Sequence, residues 1–265
     1  MNAPSLSPEI RIFPDGESLR RAAADEIVKA AQETLRTRKV FTLALSGGTT
    51  PRPLYTLLGG EGDTTVRARI PWPQVHLFWT DERPVHADHP DSNYGMVRGA
   101  MLEKLGLTRK QVHRVRTEGL NPAQAATEYQ RELKDFFGQN LMLRYDLPRF
   151  DMVLLGMGAD GHVAGLFPGS EALKERRALV VAPKASSPEN VRITLTLPVL
   201  NMAVRAVVLV AGRAKAEAVK ASLEGVAAGV GPGAGEGERW PARLLKPNDG
   251  RLLWLLDREA ASLLK

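Results

Sequence analysis

The chain contains no cysteine among its 265 residues. That excludes disulfides, thiolate nucleophiles and cysteine-based metal or iron–sulfur sites, and it fits a cytoplasmic address. Aromatic residues amount to only 6%, and no basic block alternates with them, so the stacking platform of a single-strand nucleic-acid binder is missing. No apolar run reaches the roughly 18 residues a membrane span requires. The opening MNAPSLSPEIRIF has no basic region followed by an apolar stretch, so no secretory signal is expected. Neither nucleic acid nor a membrane is therefore an expected partner. The GxSxG nucleophile elbow is absent as well, and the SGGTT loop has neither the lysine of the nucleotide P-loop nor the GxGxxG spacing of dinucleotide sites.

What is present is an ordinary globular composition, 43% hydrophobic and 25% charged, with a net charge of +6 and arginine supplying 25 of the 36 basic residues. The charges are spread along helical stretches such as RRAAADEIVKAAQETLRTRK, with acids among them. A solvated basic surface accounts for most of this, and a small phosphorylated metabolite is the next reading. The length suits one large α/β domain, and residues 1–265 read as one domain. GVAAGVGPGAGEGERWP (225–241) is too rich in glycine for a helix or strand and reads as a mobile loop. GGEGDTTVRARIP (59–71) reads as a similar excursion.

Strand-like and helix-like stretches alternate. IRIF, VFTLAL (40–45), QVHLFWT (74–80), FDMVLLG (150–156), RITLTL (192–197), RAVVLVAG (205–212) and RLLWLLD (251–257) have strand character. Residues 17–37 place Leu19, Ala23, Ile27, Ala31 and Leu35 on one helical face. Residues 92–105, 121–137, the stretch after 212 and the final REAASLLK also read as helices. This order predicts a Rossmann-like, mainly parallel sheet with helices on both faces, leaving room for a small antiparallel accessory portion.

Ligands of open α/β sheets bind beyond the carboxyl ends of the strands, and the unusual polar residues fall there. VFTLAL delivers Ser46-Gly47-Gly48-Thr49-Thr50, with Pro51 opening the next helix. Taken alone this is a strand–helix turn. It also suits a monophosphate, because glycines bring N–H groups close and a helix N-terminus favours an anion. QVHLFWT delivers Asp81, Glu82 and Arg83; RAVVLVAG delivers Lys215; Arg192 opens a strand, with Lys184 in the preceding APKASSP loop. FDMVLLG ends on GMGADGHVAGLFPG, where three glycines crowd around Asp160 and His162. A turn whose polar residues cap a helix explains each segment singly. An active-site loop, with a base beside an acid, explains their joint placement.

LALSGGTTPRPLYTLL, FWTDERPV…HPDSNYGMV, FDMVLLGMGADGHVAGLFPG, VRITLTLPVLNMA and GRAKAEAV, in this order, resemble the 6-phosphogluconolactonase family, itself similar to the glucosamine-6-phosphate deaminases and isomerases. The resemblance runs from about residue 10 to the C-terminus. The loop after DGH continues as Leu166-Phe167-Pro168, as in the lactonases, where deaminases carry an acid. Val163, Gly165 and the proline-poor KASSP depart from the usual lactonase pattern.

The resemblance implies hydrolysis of 6-phospho-D-glucono-1,5-lactone in the oxidative pentose phosphate pathway. It implies no cofactor and no metal. His162 would be the general base, since imidazoles ordinarily titrate near ~6.5. Asp160 would orient it. Arg83 or glycine-loop N–H groups would meet the oxyanion, and Asp81 would accept sugar hydroxyls or organise Arg83. Gly47, Gly48, Thr49, Arg192, Lys215 and Lys184 would hold the phosphate. The His86-Ala-Asp88-His89 loop matches no zinc spacing, and His76 and His113 read as structural. The expected assembly is a monomer or weak homodimer. An aldose–ketose isomerase or deaminase would need a further carboxylate, and none follows the DGH loop before Glu171. A non-catalytic phosphosugar-binding module would not need His162.

Overall fold

The computed structural model describes residues 7–185, 187–224 and 236–265. Residues 1–6 of the opening segment read for a secretory signal, and residues 225–235 of the glycine-rich stretch, lie outside them. In chain order the strands are β1 (Glu9–Phe13), β2 (Phe41–Leu45), β3 (Val75–Trp79), β4 (Asp81–Glu82), β5 (Val112–His113), β6 (Leu143–Arg144), β7 (Leu147–Pro148), β8 (Met152–Gly156), β9 (Val180–Val181), β10 (Ile193–Leu195), β11 (Arg205–Val210) and β12 (Arg251–Asp257). The α-helices are α1 (Gly16–Leu35), α2 (Arg52–Leu58), α3 (Thr64–Ala68), α4 (Asn93–Val97), α5 (Glu103–Leu105), α6 (Pro122–Gln139), α7 (Leu197–Leu200), α8 (Ala216–Leu223) and α9 (Glu236–Arg239).

Seven strands form one parallel sheet in the order β1-β12-β11-β8-β2-β3-β5. Every residue of β2 is buried, which requires cover on both faces, and helices supply it. α1 begins where the Asp15 carboxylate accepts the Ser18 N–H at 2.8 Å, and it buries Leu19, Ala23, Ala24, Ile27, Val28, Ala30 and Ala31. α6 begins with a reciprocal Asn121–Gln124 capping box and Pro122. Its buried Tyr129 hydroxyl accepts from the Trp79 N–H and donates to the Trp79 carbonyl, both at 2.9 Å. That ties α6 to the end of β3, directly ahead of Asp81.

β2 and β8 are joined at their N-terminal ends by Asp151, which is fully buried. One of its oxygens accepts from the Thr42 N–H (2.8 Å) and hydroxyl (2.9 Å), and Arg38 pairs with the carboxylate. The Asp151 N–H donates in turn to the Thr42 hydroxyl at 2.9 Å. A buried charge held this way locks register, since a one-residue slip would leave it unpaired.

The expected parallel α/β sheet is present, with several corrections in detail. Residues 192–197 do not join the main sheet: β10 lies between β4 and β9 in a separate antiparallel sheet, and Val112–His113 takes the main-sheet edge instead. β6 and β7 form a two-stranded hairpin. The 92–105 helix is interrupted by a π turn over Arg98–Leu102. The 59–71 excursion contains α3, capped by Asp63. Part of 225–241 is helical after all, as α9. The final REAASLLK forms turns, because the Asp257 carboxylate takes the Ala260 N–H at 2.7 Å while also accepting from Gly212. Among the described residues, no helix is long and apolar enough to cross a membrane.

Candidate active site

After β2 the chain steps outward to β3 and β5, and after β8 it steps the opposite way to β11 and β12. The β2–β8 seam is therefore the topological switch point, where loops diverge and leave a crevice. A cleft of about 280 Å³ opens there. Gly47, Gly48 and Thr49 line it from the β2 side, and Gly158 and His162 from the β8 side. Asp81, Arg83, Asn93, Arg192 and Lys215 line the rest.

His162 sits in a tight loop closed by the Gly158 N–H donating to the His162 carbonyl at 2.9 Å. The Asp160 Oδ1 accepts the His162 N–H at 3.2 Å and stands 2.7 Å from the His162 Nδ1. Burial alone would push the Asp160 carboxyl up, but the hydrogen bond and charge of His162 outweigh it and hold the carboxyl below its usual range. An ionised Asp160 accepts a hydrogen bond from Nδ1–H, which leaves the Nε2 lone pair free to take a proton. The Phe167 ring lies 4.5 Å from the imidazole, centroid to centroid. Two glycines are required here. A Cβ on Gly158 would fall on the His162 ring and the Asp160 carboxylate. Gly161 has φ +79°, and a Cβ there would approach the Trp240 ring to 2.7 Å. The Ala242 N–H donates to the Gly161 carbonyl at 2.9 Å, so the segment around Trp240 backs the loop.

The opposite wall is built by the small antiparallel sheet. Its register sets Ile193 against Glu82 and Thr194 against Asp81, and one step further brings Arg192 across from Arg83. Arg192 is 8% exposed; its Nη1 donates to the carbonyls of Glu189 (2.6 Å) and Val191 (2.8 Å), and its Nε lies 3.7 Å from the Asp81 carboxylate. Burial and the like charge of Arg83 lower its proton affinity, partly offset by Asp81. Two guanidinium groups held together in this way attract an anion.

Glu82 is turned away from the cleft and is 2% exposed. Its Oε1 accepts from the N–H groups of Arg83 (2.8 Å) and Asn93 (2.7 Å), and its Oε2 accepts from the Tyr94 N–H (2.8 Å) and the Ser92 hydroxyl (3.3 Å). Burial pushes its carboxyl up to about 7 against the pull of those backbone N–H groups. The Asp81 Oδ1 contacts the Thr80 hydroxyl at 3.1 Å.

On the remaining wall, Lys215 follows β11 in a short 3-10 turn (Arg213–Lys215). Burial lowers its proton affinity and the charge of Asp160 partly restores it. Of the ten residues singled out from sequence, eight line the cleft and Asp160 supports one that does. Lys184 does not join them. It lines a separate depression with Phe167, Pro168, Glu171 and Pro183. Asn93 is the functional-site residue that sequence reasoning missed. Its only signal is position in DSNYG, where Ser92 caps α4 by accepting the Gly95 N–H at 3.0 Å.

The His86 and His89 rings accept the N–H groups of Asp88 (3.2 Å) and Asp91 (3.1 Å), closing exposed turns. Among the described residues, no three His, Asp or Glu side chains converge as a metal site. His76 and His113 lie outside the cleft, joined to each other at 3.0 Å.

The family model described as glucosamine-6-phosphate isomerases/6-phosphogluconolactonase matches residues 14–254. The chain is 37% identical to the 6-phosphogluconolactonase of Nostoc sp. over 258 residues, spanning 97% of this chain and 98% of that relative. It is 36% identical to the 6-phosphogluconolactonase of Synechocystis sp. over 261 residues, spanning 98% and 100%. The solved structure of 6-phosphogluconolactonase from Trypanosoma cruzi is similar with a TM-score of 0.81 and 28% identity, covering 99% of this chain and 100% of that one.

Proposed function

The chain belongs to the family of glucosamine-6-phosphate isomerases and 6-phosphogluconolactonases, and on that premise we propose that its cleft hydrolyses 6-phospho-D-glucono-1,5-lactone to 6-phospho-D-gluconate, a step of the oxidative pentose phosphate pathway. The observation that carries this reading is the His162–Asp160 pair facing the same small cleft as a glycine-rich loop and three cationic side chains.

A six-membered lactone is an activated ester, so water attacks it without a covalent enzyme intermediate. The His162 Nε2 takes a proton from that water as its oxygen bonds to the lactone carbonyl carbon. The tetrahedral oxyanion develops toward Arg83. The bond from that carbon to the ring oxygen then breaks, and the imidazolium returns its proton to the leaving oxygen. Asp160 holds the imidazole orientation throughout. Asp81 accepts from sugar hydroxyls, and Gly47, Gly48, Thr49, Arg192 and Lys215 hold the 6-phosphate.

Glu171 bears on the deaminase or isomerase alternative. It is the first carboxylate after the DGH loop, and it lines the Lys184 depression instead of the cleft. The same reading takes residues 1–265 as one lactonase domain, supported by a continuous core over the described residues. The enzyme would act in the cytoplasm, as a monomer or weak homodimer, on a small phosphosugar without nucleic acid, membrane, cofactor or metal. The test is the purified chain against freshly generated lactone, corrected for spontaneous hydrolysis. Saturable acceleration is expected. No acceleration of the lactone, together with ammonia release from glucosamine 6-phosphate, would replace this reading by the deaminase.

A further inference from the structure

Asp81 and Arg83 are two residues apart in an extended segment, so their side chains leave the backbone on the same side. Opposite charges so placed in a half-desolvated wall would be expected to close on each other, and a closed pair offers neither charge to a substrate. The structure contains a different arrangement. Arg83 donates through Nη1 to the side-chain Oδ1 of Asn93, and to the Asp91 carbonyl at 3.3 Å. The Asn93 Nδ2 donates to the Asp81 carbonyl at 2.8 Å and to its carboxylate Oδ2 at 3.3 Å. The partners leave no ambiguity in the amide orientation, because a guanidinium can only donate and the Asp81 oxygens only accept.

We propose that Asn93 is a positioning residue: its neutral side-chain amide is wedged between Arg83 and Asp81, keeping the Arg83 guanidinium off the carboxylate and available to the lactone, while Asp81 retains its 3.7 Å contact with Arg192. The assignment rests on the reading of Arg83 and Asp81 as groups that act on substrate. Asn93 is built in rigidly, being 1% exposed, with its backbone N–H held by the buried Glu82 carboxylate at 2.7 Å. The site also makes room for it, since a Cβ on Gly47 would fall on the Asn93 amide. Glycine at position 47 therefore serves this amide as well as any approach of a phosphate.

Only a neutral group with one acceptor and one donor performs this task. Asn93→Asp keeps the shape and replaces the donor by a second carboxylate beside Asp81. Two carboxylates at that spacing share a proton as the pH falls, and the protonated form restores a neutral acceptor–donor pair. The charged groups around this position are Asp81 and Glu82 on β4, Arg83 after it, Asp91 on the same loop and Arg192 before β10. His162 and Lys215 face it across the cleft. Wild type and variant share all of them, so the ratio of their activities isolates the substitution.

The experiment measures kcat and KM for Asn93→Asp and Asn93→Ala from pH 5.5 to 8, with thermal melts, in wild-type and Arg83→Ala backgrounds. At pH 8 we expect Asn93→Asp to lower kcat by about 10²-fold, the usual loss for one misplaced oxyanion donor, with KM changed less than about 3-fold. Its activity relative to wild type should recover several-fold toward pH 5.5, whereas that of Asn93→Ala should stay flat. In the Arg83→Ala background, Asn93→Asp should add little. A folded Asn93→Asp with near-wild-type kcat, or with a ratio independent of pH, overturns the inference. If Asn93→Asp does not fold, Asn93→Ala decides: an equal loss with and without Arg83 overturns the proposal. If Arg83→Ala itself leaves lactonase activity intact, the reading of the site has failed instead.

Discussion

His162 and Asp160 share a 2.7 Å contact between Nδ1 and Oδ1, formed within a loop so short that the same carboxylate also accepts the His162 backbone N–H. The pair is thus assembled locally, by the loop itself. Its removal should affect chemistry more than folding. His162→Ala is expected to remain folded by circular dichroism and to lose roughly 10²–10⁴ in kcat, the ordinary share of a general base. A folded His162→Ala with near-normal kcat would transfer the role to Asp160 or Asp81.

Gly158 is predicted to be intolerant of even a methyl group. In Gly158→Ala the new Cβ must displace the His162 ring or the Asp160 carboxylate. A misplacement of about 1 Å at a reacting group costs about 10²-fold in rate. Gly161→Ala should differ in kind, since positive φ and the Trp240 ring make it a stability defect. Kinetics and melting curves of the two variants separate these outcomes.

Arg192→Ala and Lys215→Ala should mainly raise KM for the phosphorylated lactone. The loss should be about 1.5–3 kcal/mol for a charged hydrogen bond, with little effect on the unphosphorylated lactone. Equal damage to both substrates would assign the residue to the fold or the chemistry. Arg192 carries the greater risk of such damage because it is buried and lies near Asp81.

A chelator should leave the rate unchanged, as no triad of metal-ligand side chains converges among the described residues. Activity lost with EDTA and restored by one divalent ion would contradict this and point to His86, Asp88 and His89.

Acid should weaken the fold through His76. Burial, reinforced by the neighbouring His113, pushes its imidazole down to about 4 from the ordinary 6.5. Between those values the unfolded chain binds more protons than the folded one, so stability falls as pH falls through that window. The full shift would be worth about 3 kcal/mol if the ring were dry. Because it is only half-buried, about 1–2 kcal/mol is expected. Urea midpoints of wild type and His76→Gln should converge toward pH 4.5. The comparison also cancels Glu82, whose raised carboxyl acts in the opposite sense.

The long strands were legible because their burial is extreme, and the β2 and β8 loops because glycine and charge are conspicuous after an apolar run. What escaped was relational. ITL in β10 is apolar in either sheet, and only its pairing with Asp81 and Glu82 shows which one it joins. Asn93 carries no charge, so nothing in its local sequence marks it, and its role exists only because Arg83 and Asp81 converge on it. Lys184 fits the pattern by charge and order, yet a loop path decides where a lysine ends up. The closing REAASLLK has helical periodicity, but over so few residues it cannot outweigh Asp257 drawing the chain into turns.

The staple between Thr42 and Asp151 spans 109 positions, and the cleft opens on the seam it closes. Joining such distant segments costs on the order of 4 kcal/mol in chain entropy before any contact repays it. During refolding, helical signal would therefore return earlier than the β2–β8 pairing, which belongs to the slow, non-local class of contacts. Catalytic turnover would be among the last properties recovered, which makes this enzyme a reporter of its own completed folding.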